Sequence, residues 1–324
     1  IKEIIKNKRT AADLKDYLGQ YTGNDIYIAK RYLRVFRAFY EFINAEDARS
    51  LLCFLNIFPR EKGSNREETF SAELLRKIFV QIIDDYTEGL TASGRVVPDY
   101  LEKMKSEPFV TIKSDNFDKH KENLLNRLSK GEKIFVITTY STVGAGQNLQ
   151  YKIPSSVVPN IRYISSLAEP SKVDKKDFDA IYVDMPTNVA KNIKEKERLD
   201  LLSSLFDIES LQENHELDLR GARNEISIRF AQYYGAPPTA KRKKAMEYPS
   251  YRMAYARRII QAIGRICRTF AKNSNIYIFA DDQLGEVFKG TSIRDFADPN
   301  DRDSDLEEVM ANPEFKCLLR ELQN

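Results

Sequence analysis

Two segments of the sequence combine residue types that could hold a phosphate group. The first is QAIGRICR, residues 261–268, where Arg265 and Arg268 are three positions apart and Gln261 lies four positions before Arg265. On an α-helix this spacing places the three side chains on one face, and Gly264 allows close packing beside them. Two guanidinium groups and an amide can clamp a phosphoryl group that gains charge during transfer. A surface helix with scattered arginines is the alternative interpretation.

The second segment is TTYSTVGAGQNL, residues 138–149, which is rich in hydroxyl groups and glycine. It directly follows the apolar run at residues 133–139. Glycines let a backbone approach a ligand closely, and hydroxyl groups with free amides can hold phosphate oxygens. The Gly-Ala-Gly sequence also occurs in ordinary turns, so this segment alone does not identify a phosphate site and must be considered together with the elements around it.

Hydrophobic patterning predicts the elements that position these segments. Short apolar runs predict buried strands at residues 50–56, 109–114, 133–139, 180–184 and 275–280. Helical spacing of apolar residues predicts helices at residues 24–44, 70–86, 117–129 and 251–270. Buried strands that alternate with helices predict an α/β fold, with a parallel sheet covered by helices on both faces. In such sheets ligands bind beyond the carboxyl ends of the strands, so we expect the site there.

The connections between these elements are also predicted. Residues 89–98 are a loop by their Gly, Ser and Pro content, and Asn116 and Gly131 are the caps of the helix at 117–129. Residues 150–178 are a connection. Residues 187–250 are too long for a simple crossover, and their leucine-rich pattern predicts a helical insertion.

Composition narrows the class of protein. A chain of 324 residues, of which 42% are hydrophobic, predicts one large domain or two ordinary ones. Three distant cysteines and two histidines argue against a disulfide framework, a zinc site or a His-based triad, and favour a reducing, cytoplasmic location. The longest uncharged stretch, residues 134–151, is too polar to span a membrane. Because the chain begins at Ile1, we expect it to be a piece of a longer protein.

Charge is unevenly distributed although the net charge is only +3. Residues 239–272 contain ten basic residues and one acid, whereas residues 281–308 contain ten acids and three basic residues. One interpretation is two solvated faces. The other is a site for a polyanion, either a nucleotide or a nucleic acid, in the basic block.

Taken together and in this order, the segments resemble the C-terminal RecA-like lobe of superfamily 2 helicases and translocases. Residues 261–268 match that family's motif VI, Q-x-x-G-R-x-x-R, at every fixed position, and residues 138–149 resemble motif V. Where the family commonly has Gly-x-Asp, this sequence has Gly146-Gln147-Asn148. The resemblance covers about residues 46–285, including the insertion at about 187–250. It leaves an N-terminal helical segment at residues 1–45 and an acidic helical tail at residues 286–324.

The resemblance implies roles for individual residues. Arg268 would be the arginine finger on the γ-phosphate of ATP, Arg265 would lie beside it, and Gln261 would couple the phosphate to the cleft between two lobes. The implied nucleotide contacts are Gly146, Asn148 and Gly264. The implied contacts to a nucleic-acid backbone are Ser114, Thr138 and Thr139. Such contacts carry no sequence information, so binding should be sequence-independent and sensitive to salt.

The sequence contains no G-x-x-x-x-G-K-[ST] pattern, and Lys289-Gly290-Thr291 is only a fragment of one. Asp281-Asp282 follows a predicted strand as a Walker B carboxylate does, but we interpret it as the end of the last strand. ATP and Mg²⁺ would therefore be held mainly by an N-terminal RecA-like lobe of the same parent chain, and this chain alone should not hydrolyse ATP.

The expected partner is nucleic acid, DNA rather than RNA, and no membrane. The alternative function is a non-catalytic nucleic-acid-binding or scaffolding module that retains the fold. The two arginines favour the motor, because a scaffold has no need of both on one face.

Overall fold

The computed structural model describes residues 1–22, 26–61, 70–113, 115, 117–140, 142, 148–155, 161–163, 173–186, 198–235 and 249–288. The chain divides into two compact units. The first contains Ile1–Asp184 and Gly264–Asp281, and the second contains Met185–Ile263 and continues from Asp282.

Helices and strands alternate along the first unit. Its helices are α1 (Lys8–Gly19), α2 (Ile26–Asn44), α3 (Ala72–Ala92), α4 (Tyr100–Ser106) and α5 (Phe117–Ser129). Its strands are β1 (Ser50–Leu55), β2 (Val110–Thr111), β3 (Ile134–Thr139), β4 (Tyr151–Lys152), β5 (Ile161–Tyr163), β6 (Lys175–Lys176), β7 (Ala180–Val183), β8 (Ala271–Asn273) and β9 (Tyr277–Ala280). The described helices of the second unit are α6 (Arg198–Glu213), α7 (Leu219–Tyr233), α8 (Pro249–Ile263) and α9 (Leu284–Phe288).

A five-stranded parallel sheet, in the order β2-β3-β1-β7-β9, forms the centre of the first unit as described. Cys53 in the middle of β1 pairs with Ile137 of β3 on one side and with Tyr182 of β7 on the other. These five strands are the five that the sequence predicts. The predicted α/β class is therefore confirmed, and the sheet with its flanking helices is consistent with a RecA-like fold.

Helices α1 to α4 share one hydrophobic core with one face of the sheet. The ring of Phe39 on α2 stacks on that of Phe79 on α3 at 3.7 Å between centroids, and both pack near Phe135 of β3. The predicted helix at residues 24–44 is thus present as α2, and most of its aromatic side chains are part of the core. The strand residues that point to the opposite face, such as Leu52 and Val136, are buried as well.

Several helix ends are capped by polar side chains or by glycine. The side chain of Asn7 accepts a hydrogen bond from the backbone of Thr10 at 3.0 Å, and Ser71 accepts one from Leu74 at 3.2 Å. Gly131 has φ = 83°, a conformation that glycine adopts at low cost, and this confirms its predicted place after α5. Asn116 lies outside the described residues.

The predicted loop at residues 89–98 is wrong in its first part, because α3 continues to Ala92. Burial of Leu90 in the core outweighs the local preference of Gly89 for a turn. The hydroxyl of Thr91 also donates to the carbonyl of Thr87 at 3.0 Å, within the helix. The chain leaves the helix only at Ser93 and Gly94, where φ is 69°.

The predicted helix at residues 251–270 is wrong in its last part. Helix α8 ends at Ile263, a single 3₁₀ turn follows at Gly264–Ile266, and β8 begins at Ala271. Strand β9 runs parallel to β7, so the chain must return to the amino end of the sheet before β9 starts. The helix therefore gives way to an irregular segment.

Two further stretches can be compared with prediction. The connection at residues 150–178 contains the short strands β4, β5 and β6, which sequence patterning does not reveal. The insertion is helical as predicted, because α6 and α7 lie within it. None of the described helices combines the length and the hydropathy that a membrane span requires.

Candidate functional site

The segment that carries the predicted arginine finger is held by a buried aspartate. We call residues 264–270 the Arg268 loop. The Oδ2 atom of Asp177 accepts hydrogen bonds from the backbone N–H groups of Arg268 at 2.8 Å and of Thr269 at 2.6 Å. The hydroxyl of Thr269 donates to the same oxygen at 2.8 Å and accepts from the backbone N–H of Asp177 at 3.2 Å. Two successive N–H groups are thus bound to Asp177 instead of to carbonyls of a helix.

The charge of Asp177 is balanced by a buried lysine. The Nζ atom of Lys272 lies 2.6 Å from Asp177 Oδ2 and also donates to the carbonyl of Ile266. Both charged side chains are almost fully buried, with exposed fractions of 4% and 1%. Because ion pairs in such an environment are strongly coupled to their hydrogen bonds, they fix the conformation of the Arg268 loop.

The two predicted arginines have different surroundings. Arg265 is buried, with an exposed fraction of 3%, whereas Arg268 is exposed. Burial, together with the nearby positive charge of Arg268, lowers the pKa of Arg265 to about 10. Arg265 therefore remains a cation at neutral pH, and the two positive charges act on one another at short range.

The expectation that Arg265 and Arg268 share one face of an α-helix is wrong. Arg265 lies in the 3₁₀ turn and Arg268 lies beyond it, on backbone that Asp177 holds. Gln261 is exposed on the last turn of α8. The arginine pair is consequently formed by an irregular segment and its anchor rather than by helical spacing.

The position of the Arg268 loop also differs from the predicted one. Asp177 precedes β7, and Asn273, which follows the loop, donates a hydrogen bond to the carbonyl of Asp47, just before β1. The loop therefore lies at the amino ends of the strands, not at their carboxyl ends. The cause is the return of the chain before β9.

Gly264 does not have the packing role predicted for it. Apart from its neighbours along the chain, a Cβ atom added there would meet no atom of the described residues within 4 Å. The space beside Gly264 is open, and it adjoins Arg265. This opening would let a group from outside the chain approach the backbone.

The threonines predicted to face nucleic acid are buried at the end of β3. The exposed fractions of Thr138 and Thr139 are 0% and 5%. The Thr138 hydroxyl donates to the carbonyl of Ile112 at 3.3 Å, and the hydroxyls of Thr139 and Thr142 lie 3.0 Å apart. Their expected contact with a nucleic-acid backbone is therefore not available in this structure, because the strand is covered on both faces.

Of the remaining predicted ligand contacts, Asn148 lies within the described residues, whereas Gly146 and Ser114 do not. Asn148 is exposed, and its side chain bonds to Gln150 through both the Oδ1 and Nδ2 atoms, at 3.1 and 3.0 Å. This local turn lies just before β4, whose Tyr151 hydroxyl is 3.0 Å from that of Ser50 at the start of β1. Asn148 thus lies towards the same end of the sheet as Arg268.

A second polar cluster, which the sequence did not predict, closes the carboxyl ends of the strands. Asp184 and Asp281 follow the adjacent strands β7 and β9, and both are buried. The Nη2 atom of Arg34 on α2 lies 3.4 Å from Asp184 and 3.1 Å from Asp281. Burial by itself would lower the pKa of the Arg34 guanidinium. The nearby Tyr182, Asp281 and Asp184 side chains have the larger combined effect, so the pKa is raised above its usual value.

This carboxyl-end cluster lies where the strand order reverses. The chain leaves β1 towards β2 at one edge of the sheet, whereas it leaves the adjacent strand β7 towards β9 at the other edge. The side-chain amide of Asn56, just after β1, donates a hydrogen bond to Asp184 at 2.9 Å. Such a reversal is the usual ligand position in parallel sheets. Here it is filled by the side chains of Arg31 and Arg34, with Arg31 Nε 3.9 Å from Asp184. Asp281 thus serves to end the last strand, as its sequence position suggested.

The described residues were also compared with the ligand sets that metal ions and anions require. No group of three or more His, Cys, Asp or Glu side chains in the described ranges could hold a metal. The exposed Arg268 beside buried Arg265 can instead offer guanidinium donors to an anion.

Comparison with known proteins adds no assignment. No protein-family model matches the chain, and no curated protein matches it significantly.

Proposed function

We propose that this chain is the C-terminal motor lobe of an ATP-dependent nucleic-acid helicase or translocase. In this proposal Arg268 is the arginine finger and Arg265 lies beside it. An N-terminal RecA-like lobe of the same parent chain holds ATP and Mg²⁺. The polymer on which the motor acts is nucleic acid, DNA rather than RNA.

The observation that carries the proposal is the exposure of Arg268 on a backbone fixed by Asp177. An arginine finger must reach a phosphate that its own lobe does not hold, so its side chain must lie exposed at the surface. Its backbone must also be fixed, because phosphoryl transfer depends on positioning within about an ångström. The bonds from Arg268 and Thr269 to Asp177 meet the second requirement.

The surroundings of Arg268 support the same function. Buried Arg265 adds a second positive charge close by, so an anion that arrives at Arg268 meets a field that already favours it. The open space at Gly264 leaves room for a group from another lobe. Burying one positive charge near another costs stability.

The chemistry expected of the chain's own residues is electrostatic. Arg268 would donate hydrogen bonds to oxygens of the γ-phosphate as their charge grows, and Arg265 would stabilise that charge from behind. ATP supplies the phosphoryl group that is transferred to water. Asp177 and Lys272 are positioning residues, since they act through the backbone of the Arg268 loop.

The test is ATP hydrolysis by the parent protein with single-stranded DNA, duplex DNA or RNA. The proposal expects turnover to depend on one of these polymers, and it expects Arg268→Ala to lose most of that turnover while it keeps nucleic-acid affinity. The chain alone should show no ATP-saturable turnover. Unchanged turnover in the variant would instead favour a non-catalytic nucleic-acid-binding or scaffolding module.

A further inference from the structure

The outer face of helix α7, in the second unit, presents arginines and aromatic rings in one stripe. Its members follow one another at spacings of three or four residues: Arg220, Arg223, Ser227, Phe230 and Tyr234, the last of which caps the helix directly after Tyr233. At 3.6 residues per turn they lie within about 80° of the helix circumference and span about 20 Å along its axis. All five are exposed; the exposed fraction is 40% for Phe230 and 79% for Tyr234.

The opposite face of α7 accounts for its packing. Ala222 and Ile228 are buried there, and buried Arg229 pairs with Glu225 on the next turn of the helix. Gly221 is so close to α8 that an added Cβ would lie 3.0 Å from the Ser250 hydroxyl. Phe230 and Tyr234 are thus not among the buried core residues of the described structure, although the Tyr234 ring contacts that of Tyr233. Aromatic side chains exposed to this extent are typical of binding surfaces.

The exposed charges of α7 are all positive. Arg220 and Arg223 are its only exposed charged residues, and neither forms an ion pair with any residue that the structure describes. The neighbouring helix α6 is different, since it carries four acids and a single arginine. A polyanion would thus be attracted to the outer face of α7 and repelled by α6.

We infer that the outer face of α7 is a binding surface for single-stranded nucleic acid. Phe230 and Tyr234 stack on bases, and Arg220 and Arg223 contact phosphates. A single strand is the occupant because its unpaired bases can lie on exposed rings, which the stacked bases of a duplex cannot do. The inference depends on the proposed function in one respect, which is that the bound polymer is a nucleic acid. It adds a contact outside the unit that carries Arg268.

Fluorescence anisotropy with the 324-residue chain tests this surface. The probes are a labelled oligothymidine and a labelled duplex of the same length. The double variant Phe230→Ala/Tyr234→Ala should raise the Kd for the oligothymidine about tenfold or more, because each stacked base contributes strongly. The matched control is Phe206→Ala, which removes a ring of 67% exposure from α6 and should leave the Kd unchanged.

The arginines are tested through the salt dependence of binding. Arg220→Gln/Arg223→Gln should reduce the slope of log Kd against log salt by about 1.4, since each phosphate contact to a single strand contributes about 0.7. The matched control is Lys8→Gln/Lys15→Gln, which removes the same charge from the exposed side of α1. All the substituted residues are exposed, so circular dichroism should show unchanged folding.

Each outcome decides a definite point. If the wild-type chain binds and both α7 variants bind equally well, the inference is wrong while the proposed function stands. The inference is also wrong if light scattering shows that the variants change only the oligomeric state, because the face is then a protein interface. Absence of binding by the wild-type chain contradicts the inference, whereas the proposed function is decided separately by the turnover of the parent protein. Loss of binding in the α7 variants with full turnover in Arg268→Ala supports the inference and contradicts the arginine finger.

Discussion

Asp177 accepts a hydrogen bond from the backbone N–H of Arg268 at 2.8 Å, across 91 residues of sequence. The same carboxylate oxygen binds the N–H of Thr269 and the ammonium group of Lys272, both at 2.6 Å. One buried aspartate thus holds the backbone from which an exposed arginine projects. This relationship depends on the fold, because Asp177 directly follows β6, and β6 and β8 must come together before it can form.

Asp177→Ala should lower the free energy of unfolding by about 3–5 kcal/mol, because it leaves the buried charge of Lys272 without its carboxylate. Asp177→Asn keeps the shape and one acceptor oxygen, so it should cost less than the alanine variant. Urea unfolding followed by circular dichroism measures both. A value for Asp177→Ala within 0.5 kcal/mol of wild type, on the order of a neutral surface change, would contradict this anchor role.

Gly264→Ala should leave the free energy of unfolding nearly unchanged, within about 0.5 kcal/mol, because the added methyl group meets open space. If a nucleotide or another lobe approaches the backbone at this point, the same variant should lower ATP turnover by the parent protein. Unfolding and turnover are measured on the same preparation. Full turnover would show that nothing approaches Gly264 closely.

Arg34→Met should lower the free energy of unfolding by about 3–5 kcal/mol. It removes the cation that lies 3.4 Å from Asp184 and 3.1 Å from Asp281, both of which are buried. The control is Arg37→Met on the same helix, whose half-exposed side chain pairs with Glu3 and Glu41 at the surface and should cost under about 1 kcal/mol. Equal effects of the two variants would argue against a closed carboxyl-end cluster.

The stability of the chain should increase with pH above neutrality. Burial, followed by the charge of Arg49, lowers the pKa of Lys133 to about 7. Between pH 7 and 9 the unfolded chain keeps a proton on Lys133 that the folded chain releases, so the free energy of unfolding rises by about 2 kcal/mol. Above pH 10 the unfolded chain loses protons from tyrosines such as Tyr277, whose pKa burial raises to about 12, and the trend reverses.

Urea unfolding at pH 7, 8 and 9 measures this dependence. Lys133→Met should abolish most of the rise, whereas Lys130→Met, which alters an exposed lysine three residues earlier, should retain it. A wild-type chain whose stability is flat over this range would show that Lys133 is not desolvated as its burial indicates.

The sheet could be predicted from the sequence because its strands are fully buried. Strands such as β1 and β3 carry apolar or small residues throughout, and that pattern does not depend on the register of pairing. The very short strands β4 and β6 leave no comparable pattern, because a pair of residues that includes one or two lysines resembles a loop.

The candidate site could be predicted only in part. The types and spacing of Gly264, Arg265 and Arg268 identified the segment. Their helical spacing, however, predicted an α-helix where the structure has a 3₁₀ turn followed by irregular backbone. The helix does not continue through Arg268 because Asp177 accepts hydrogen bonds from the backbone N–H groups of Arg268 and Thr269. Asp177 is 91 residues away from Arg268, so the sequence around Arg268 does not indicate this contact. Arg34 is missed by sequence reasoning because the apolar spacing of residues 24–44 predicts only that this helix packs on the core, and the contacts of Arg34 with Asp184 and Asp281 are distant in sequence.

ATP turnover by the parent protein with Arg268→Ala tests the central claim most directly, provided that ATP and nucleic-acid affinities are measured beside it. We predict that kcat falls on the order of a thousandfold while both affinities change little. Arg257→Ala, which alters a half-exposed arginine of α8 paired with Glu216, should remain close to wild type. If Arg268→Ala instead hydrolyses ATP as fast as Arg257→Ala does, Arg268 is not an arginine finger.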